Sequence, residues 1–117
     1  MLLSGIGCAG GLATIRTAAT IANDATLRGR PACVLGFTCD VTSTNIRCDL
    51  KMISENPEEV RASMALFSDA SAAFIICNSL GLEANRNALY TVLDWENSVI
   101  PGTQSDENCL VDPLGKY

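Results

Sequence analysis

Residues 12–25 read LATIRTAATIANDA, apolar or small nearly all round, with Arg16, Asn23 and Asp24 as the strongly polar positions. Such a pattern over Gly11 to about Ala25 predicts a helix buried on most sides, because Gly, Ala and Thr let neighbouring elements approach closely. Leu27-Arg28-Gly29-Arg30-Pro31 predicts a turn by its glycine and proline. The short apolar run Ala32 to Phe37 (ACVLGF) lies between turn residues and predicts a buried strand, whereas Cys39 to Arg47, rich in Thr, Ser and Asn, reads as loop. Ser54-Glu55-Asn56-Pro57-Glu58-Glu59 carries the marks of a helix start: a capping side chain, a proline in the first turn, and acids at the positive end of the dipole. That helix is brief, because Leu66-Phe67-Ser68-Asp69 interrupts it before a second apolar strand at Ala72 to Cys77 (AAFIIC). Asn78 to Asn87 reads as a polar connection, Ala88 to Trp95 as a third strand, and the tail from Ile100 onward as loop. Strands alternating with helical segments predict an α/β fold, and the length predicts one domain over residues 1–117. Met1 already lies inside the apolar run that leads to Cys8, and no closing element follows at the other end.

Composition narrows the function classes. Apolar residues make up 48% of the chain and charged residues 18%, a globular balance. The net charge is −5 and the eight Lys and Arg are scattered singly. A nucleic-acid surface, whose affinity rests on neutralising several phosphates together, is therefore not expected. No window approaches the ~18–20 apolar residues of a membrane span. Met1-Leu2-Leu3-Ser4 has neither the basic flank nor the apolar length of a secretory signal, so a cytoplasmic location is expected.

Six cysteines (8, 33, 39, 48, 77 and 109) without a secretory signal argue against a disulfide framework. Cys33 and Cys39 on one extended strand stand about 20 Å apart and cannot bridge each other. No C-x₂₋₄-C pair and no histidine occur, so a metal site is not expected. Five of the six cysteines read as small buried hydrophobes.

The exception is Cys8, within Gly5-Ile6-Gly7-Cys8-Ala9-Gly10-Gly11. A cysteine held between glycines at the mouth of an apolar helix faces backbone N–H groups and the positive end of the helix dipole. That setting favours the thiolate, the form that attacks a thioester carbonyl. Two other readings of the same glycines stay open. Gly5-x-Gly7-x-x-Gly10 matches a dinucleotide fingerprint, although its strand would be only Met1 to Ser4 and its acid would fall at Asp24 or Asp40. Alternatively, the glycines merely permit a tight turn beside an inert cysteine.

GIGCAGGLATIRTA, GRPACVLGFTCDVTSTNIR and ALFSDASAA together resemble the N-terminal half of the type III polyketide synthases. These form the chalcone and stilbene synthase-like branch of the thiolase-like superfamily, and the fungal members make alkylresorcylic acids and pyrones. VLDWENSVIPGTQSDENCLVDPLG resembles a W-E-x-x-I-P…DPLG segment of the fungal members. The resemblance implies a partial thiolase-like α/β fold with a mixed sheet and a buried nucleophile helix. It implies an acyltransferase that condenses an acyl-CoA starter with malonyl-CoA through a cysteine thioester, as a homodimer and without a cofactor.

By the same resemblance, Cys8 matches the acyl-accepting nucleophile. Phe67, in L-F-x-D, matches the phenylalanine between the CoA tunnel and the reaction cavity. Thr42 and Asn45 match positions that line the cavity and influence chain length, and Asp69 matches a structural acid. Where members usually have Glu the chain has Asp40. Where a glycine follows the motif acid it has Ala70, which is strained if that position needs a positive φ. The histidine and asparagine that complete the family's catalytic set lie in its C-terminal half, which has no counterpart in these residues. Loss of one oxyanion donor alone costs on the order of 10²–10³ in rate, so this chain is expected to be acylated at best and not to turn over. The alternatives by class are a β-ketoacyl synthase III-type condensing enzyme, a small dinucleotide-binding module, and a non-catalytic remnant.

Overall fold

The computed structural model describes residues 1–58, 65–82 and 87–103. Two compact units are present: residues 1–40 with 70–95, and residues 41–69 with the segment from Glu96 onward.

The first unit is built on helix α1 (Gly10–Leu27) and an antiparallel pair, β1 (Cys33–Asp40) and β2 (Ala70–Cys77). Helix α1 runs slightly beyond the predicted span at both ends. Its threonines fit because Thr14, Thr17, Thr20 and Thr26 each donate the hydroxyl to the carbonyl four residues back, at 2.7–3.0 Å. The helix ends in a Schellman turn, with Arg30 N–H on Ala25 O (2.8 Å) and Gly29 N–H on Thr26 O (2.9 Å). Gly29 takes φ +65, which a residue without Cβ adopts freely. Arg28 closes the end with an exposed ion pair to Asp24 at 2.9 Å.

The helix is less enclosed than its composition predicts. Ala18, Ala19 and Ala22 form its buried stripe, while Leu12 and Leu27 stay 74% and 80% exposed. Gly11, Ala13, Thr14, Ile15, Thr17 and Ala25 are half-buried beside that stripe. In β1, Val34, Gly36 and Thr38 lie on the more covered face, and Cys33, Leu35, Phe37 and Cys39 lie on the exposed one. Cys33 and Cys39 are therefore not buried hydrophobes; neither is in a disulfide, and the Cys33 thiol donates to Gly81 O at 3.4 Å. Gly36 pairs with Phe74, and a Cβ at Gly36 would overlap the Phe74 ring, so the glycine makes room for the aromatic across the ladder.

Of the expected mixed sheet, the described residues contain this one antiparallel pair, with Cys33 opposite Cys77 and Asp40 opposite Ala70. Cys39 and Asp40, expected in a loop, extend β1 because Ser71 and Ala70 pair with them. Ala70 is ordinary strand, since no described non-glycine residue has a positive φ, and it carries no backbone strain. Residues 88–95 are not a strand. They join no ladder, and Leu89, Tyr90 and Leu93 are each about nine-tenths exposed. Alternating apolar character supports a strand only where a neighbour supplies hydrogen bonds.

Asn78 closes this unit. It is buried, and its side-chain oxygen accepts Ala32 N–H (3.0 Å) and Gly81 N–H (2.7 Å). Its amide nitrogen donates to Arg30 O (2.8 Å) and Ala22 O (3.4 Å). The backbone N–H of Asn78 bonds Ala32 O at 3.0 Å. One side chain thus joins α1, the turn after it, the start of β1 and the turn after β2.

The second unit holds a 3₁₀ turn, Ser43–Asn45, that leads into α2 (Ile46–Glu55). Here the expected boundaries were displaced. Ser54 does not begin a helix; its hydroxyl donates back to Lys51 O (2.6 Å), and Asn56 N–H closes on Met52 O (2.8 Å), ending α2. Ile46, Leu50 and Ile53 supply the helical period, and the expected loop over Cys39 to Arg47 overlaps only the first two residues of α2. Ala65 and Leu66 are helical and Phe67 is not, in line with the expected interruption there; residues 59–64, Cys109 and the tail from Gln104 onward lie outside the described residues. Ile100 to Thr103 is a turn, with Thr103 N–H on Ile100 O at 3.3 Å.

Candidate functional site

Cys8 sits in a 3₁₀ turn, Gly7–Ala9, that runs directly into α1; Gly10 N–H closes it on Gly7 O. Gly7 takes φ +62, a conformation open to glycine, where the N-terminal arm enters the turn. Ala9, the residue ahead of α1, has no side-chain capping bond. Cys8 is exposed and its thiol is free. The structure therefore places the sequence-predicted nucleophile just ahead of the helix and open to approach.

Beside this turn lies a groove of about 420 Å³. Its walls are the arm Leu2–Gly7, the first turns of α1 through Gly10, Gly11 and Thr14, and the end of β1 from Phe37 to Asp40. Cys8 itself does not line the groove, although its neighbour Gly7 does. The glycines leave backbone bare along one wall, and the arm and β1 contribute apolar side chains.

The dinucleotide reading fails on the same geometry. Met1 to Ser4 form no strand, so Gly5-x-Gly7-x-x-Gly10 lacks the β-strand that must precede such a motif. The strand after α1 pairs antiparallel with β2, not in a parallel βαβ unit.

Thr42, Asn45 and Phe67 lie in the second unit. Thr42 precedes the Ser43–Asn45 turn, and Asn45 N–H bonds Thr42 O at 3.0 Å, so these two residues form one structural feature. Phe67 is 53% exposed and stands two residues before Asp69. Asp69 Oδ1 accepts the N–H groups of Thr42 and Ser43, both at 2.8 Å, and the Thr42 hydroxyl at 3.4 Å. The Ser43 hydroxyl foremost, then the Ser43 N–H, hold the Asp69 carboxyl below its ordinary value; slight desolvation opposes them, and the Thr42 donors add to the lowering. The structure thus joins Thr42, Asn45 and the Phe67 segment within one unit. Asp69 and Asn78 are the residues whose partners sequence reasoning missed. The L-F-x-D motif was the available signal for Asp69; Asn78 stood in an ordinary polar stretch.

Among the described residues no three His, Cys, Asp or Glu side chains gather where they could hold a metal ion. No described helix is long and apolar enough to cross a membrane.

No family model matches the chain. The chain is 45% identical over 106 residues to the type III polyketide synthase pspB of Penicillium soppii, covering 88% of this chain and 27% of that protein. It is 32% identical to the acylalkylpyrone synthase csyB of Aspergillus oryzae, covering 100% of this chain and 30% of that one. Among solved structures, the fungal type III polyketide synthase ORAS superposes with a TM-score of 0.81 at 43% identity, over 97% of this chain and 30% of ORAS. A type III pentaketide synthase from Neurospora crassa gives 0.80 at 43% identity with the same coverage. The chain therefore spans under a third of the length of these relatives. By sequence and by backbone it is homologous to a segment of fungal type III polyketide synthases, and its α/β arrangement is part of their thiolase-like fold.

Proposed function

We propose that this homologue of the fungal type III polyketide synthases supplies the acyl-accepting cysteine of such an enzyme, Cys8. The Cys8 sulfur attacks the carbonyl of an acyl-CoA, the CoA thiol leaves, and the acyl group stays on the protein as a thioester. Malonyl-CoA then loses carbon dioxide, and the resulting enolate attacks that thioester carbonyl. A carbon–carbon bond forms, Cys8 is released, and the chain grows by two carbons on CoA. Phe67, Thr42 and Asn45 line the path and cavity for the acyl chain. Acyl-CoA and malonyl-CoA are the substrates, a second copy the partner, and the cytoplasm, where thiols stay reduced, the compartment.

The observation that carries this reading is the match of 97% of the chain, at 43% identity, to a solved fungal type III polyketide synthase. The exposed Cys8 in the turn that starts α1 agrees with it. Relatives named as polyketide and pyrone synthases support this chemistry over a β-ketoacyl synthase III-type reaction. The resemblance assigns the donors opposite the thioester oxygen to a histidine and an asparagine beyond these 117 residues, which contain no histidine, so this chain alone is expected to stop at the acyl thioester.

Incubation with a radiolabelled acyl-CoA tests the proposal. Label that resists denaturation, is released by hydroxylamine and disappears in Cys8→Ala is the expected result. Equal labelling of Cys8→Ala, or sustained polyketide release by the 117-residue chain, would overturn it.

A further inference from the structure

Cys33 and Cys77 face each other across the ladder, at the start of β1 and the end of β2. Both are thiols, Cys33 exposed and Cys77 half-buried. One step further along the register stand Ala32 and Asn78, and there the Asn78 N–H bonds Ala32 O at 3.0 Å. Hydrogen-bonded and non-hydrogen-bonded pairs alternate along an antiparallel ladder, so Cys33 and Cys77 form a non-hydrogen-bonded pair. Such partners share a face of the sheet, with Cα atoms about 4.5 Å apart, inside the roughly 4.4–6.8 Å that a disulfide spans.

The backbone at this place is already held. The ladder continues on one side, and on the other the Asn78 side-chain oxygen accepts Ala32 N–H at 3.0 Å and Gly81 N–H at 2.7 Å. Closure of a bond between the two sulfurs therefore asks for side-chain rotation, and it gives up the weak bond from the Cys33 thiol to Gly81 O (3.4 Å). Cys39 provides a contrast. It lies on the same face of β1 and is also exposed, but Ser71 stands opposite it.

We propose that Cys33 and Cys77 are a reversible thiol pair, which a low-molecular-weight disulfide such as oxidised glutathione converts to a cross-strand disulfide. The exposed Cys33 thiolate attacks one sulfur of the small disulfide, whose S–S bond breaks and releases the first glutathione. The Cys77 thiolate then attacks the Cys33 sulfur of the mixed disulfide; the Cys33–Cys77 bond forms and the second glutathione leaves. The two cysteines lose two electrons and two protons, and the two released glutathione thiols carry both. Because Cys77 is fixed opposite Cys33, the second step is intramolecular and outruns encounters between separate cysteines. The bond ties β1 to β2 in their observed register, and excess thiol reopens it. In a reducing compartment such a pair is transient and redox-sensing, not a permanent staple. The inference does not depend on the role of Cys8.

The test treats the 117-residue chain, as an equal mixture of isotope-labelled and unlabelled protein, with oxidised glutathione. Linked peptides are then mapped by mass spectrometry without reduction. The folded chain should give the Cys33–Cys77 peptide pair, lighter by the two lost hydrogens, at about tenfold the yield of any other cysteine pair. Both peptides of the pair should carry the same isotope, dithiothreitol should separate them, and in urea the pair should lose its lead. Cys39 in the wild type, and Cys33 in Cys77→Ser, should stop at the glutathione adduct. A Cys33–Cys77 link that is no commoner than other pairs, that joins labelled to unlabelled chains, or that keeps its lead in urea overturns the proposal. So does a glutathione adduct that persists on Cys33 of the wild type.

Discussion

Asn78 shows how much one side chain can hold together. Its oxygen and its amide nitrogen each serve two backbone groups, which uses the full bonding capacity of a primary amide and settles which way the group points. Asn78→Ala should destabilise the chain by about 2–4 kcal/mol in urea unfolding, since it strands partly buried donors and acceptors on four segments. Asn78→Asp should be no better, because it keeps the acceptors and loses both donors. Asp69 makes a different kind of contribution, through an exposed carboxylate and charge-assisted bonds. Its folded-state value is depressed, so its stabilisation is present above the ordinary carboxylate value and is lost as pH falls through the lowered one. Amide exchange at Thr42 and Ser43 should therefore be slow relative to Asp69→Asn near neutral pH and equal to it at the most acid end.

At the scale of elements, the interior of α1 was legible because everything that makes it lies within four residues: threonine hydroxyls on carbonyls one turn back, and the glycine after its last turn. Gly29→Ala should cost about 1–2 kcal/mol, since an L-residue is disfavoured at φ +65, although space there is open. The strand pair depends on a cross-strand fit. Gly36→Ala should destabilise by about 1 kcal/mol through collision with Phe74, and Phe74→Leu in that background should recover part of the loss in a double-mutant cycle. Most of helix α2 carries no assignment from the sequence, for a physical reason. Its apolar positions recur at helical spacing, but its polar residues favour turns as strongly as helices when no partner is in view. The end of β1 and the fate of residues 88–95 were also illegible, because a strand exists by virtue of its neighbour.

For the whole molecule, the main fact is how little is covered. Among the described residues the buried apolar side chains are Ala18, Ala19 and Ala22. Leu35, Phe37 and Ile75 remain 71%, 64% and 64% exposed on one face of the strand pair. Contiguous apolar surface of that kind drives association. The isolated 117-residue chain should bind a hydrophobic dye strongly and sediment as heterogeneous oligomers; a compact, dye-silent monomer would contradict this. The exposed face also explains the reading of Cys33 and Cys39 as buried. Their apolar neighbours marked a strand correctly, and only the three-dimensional arrangement shows which of its faces is covered.

The amino-acid sequence by itself determined the features whose causes are local. These are the body of α1, the glycine turns at either end of it, the apolar centres of both strands, and the position of Cys8 at the helix mouth. It also carried the similarity to type III polyketide synthases, because motif residues keep their order along the chain. The tertiary structure decided which groups meet across 26 to 56 residues, where local pattern holds no information. Asp69 reaching the Thr42 turn and Asn78 reaching α1 belong to that class, as do the exposed face of β1 and the missing third strand. In each case the deciding free energy comes from desolvation and hydrogen bonding between distant segments, and that exists only once the chain has brought them together.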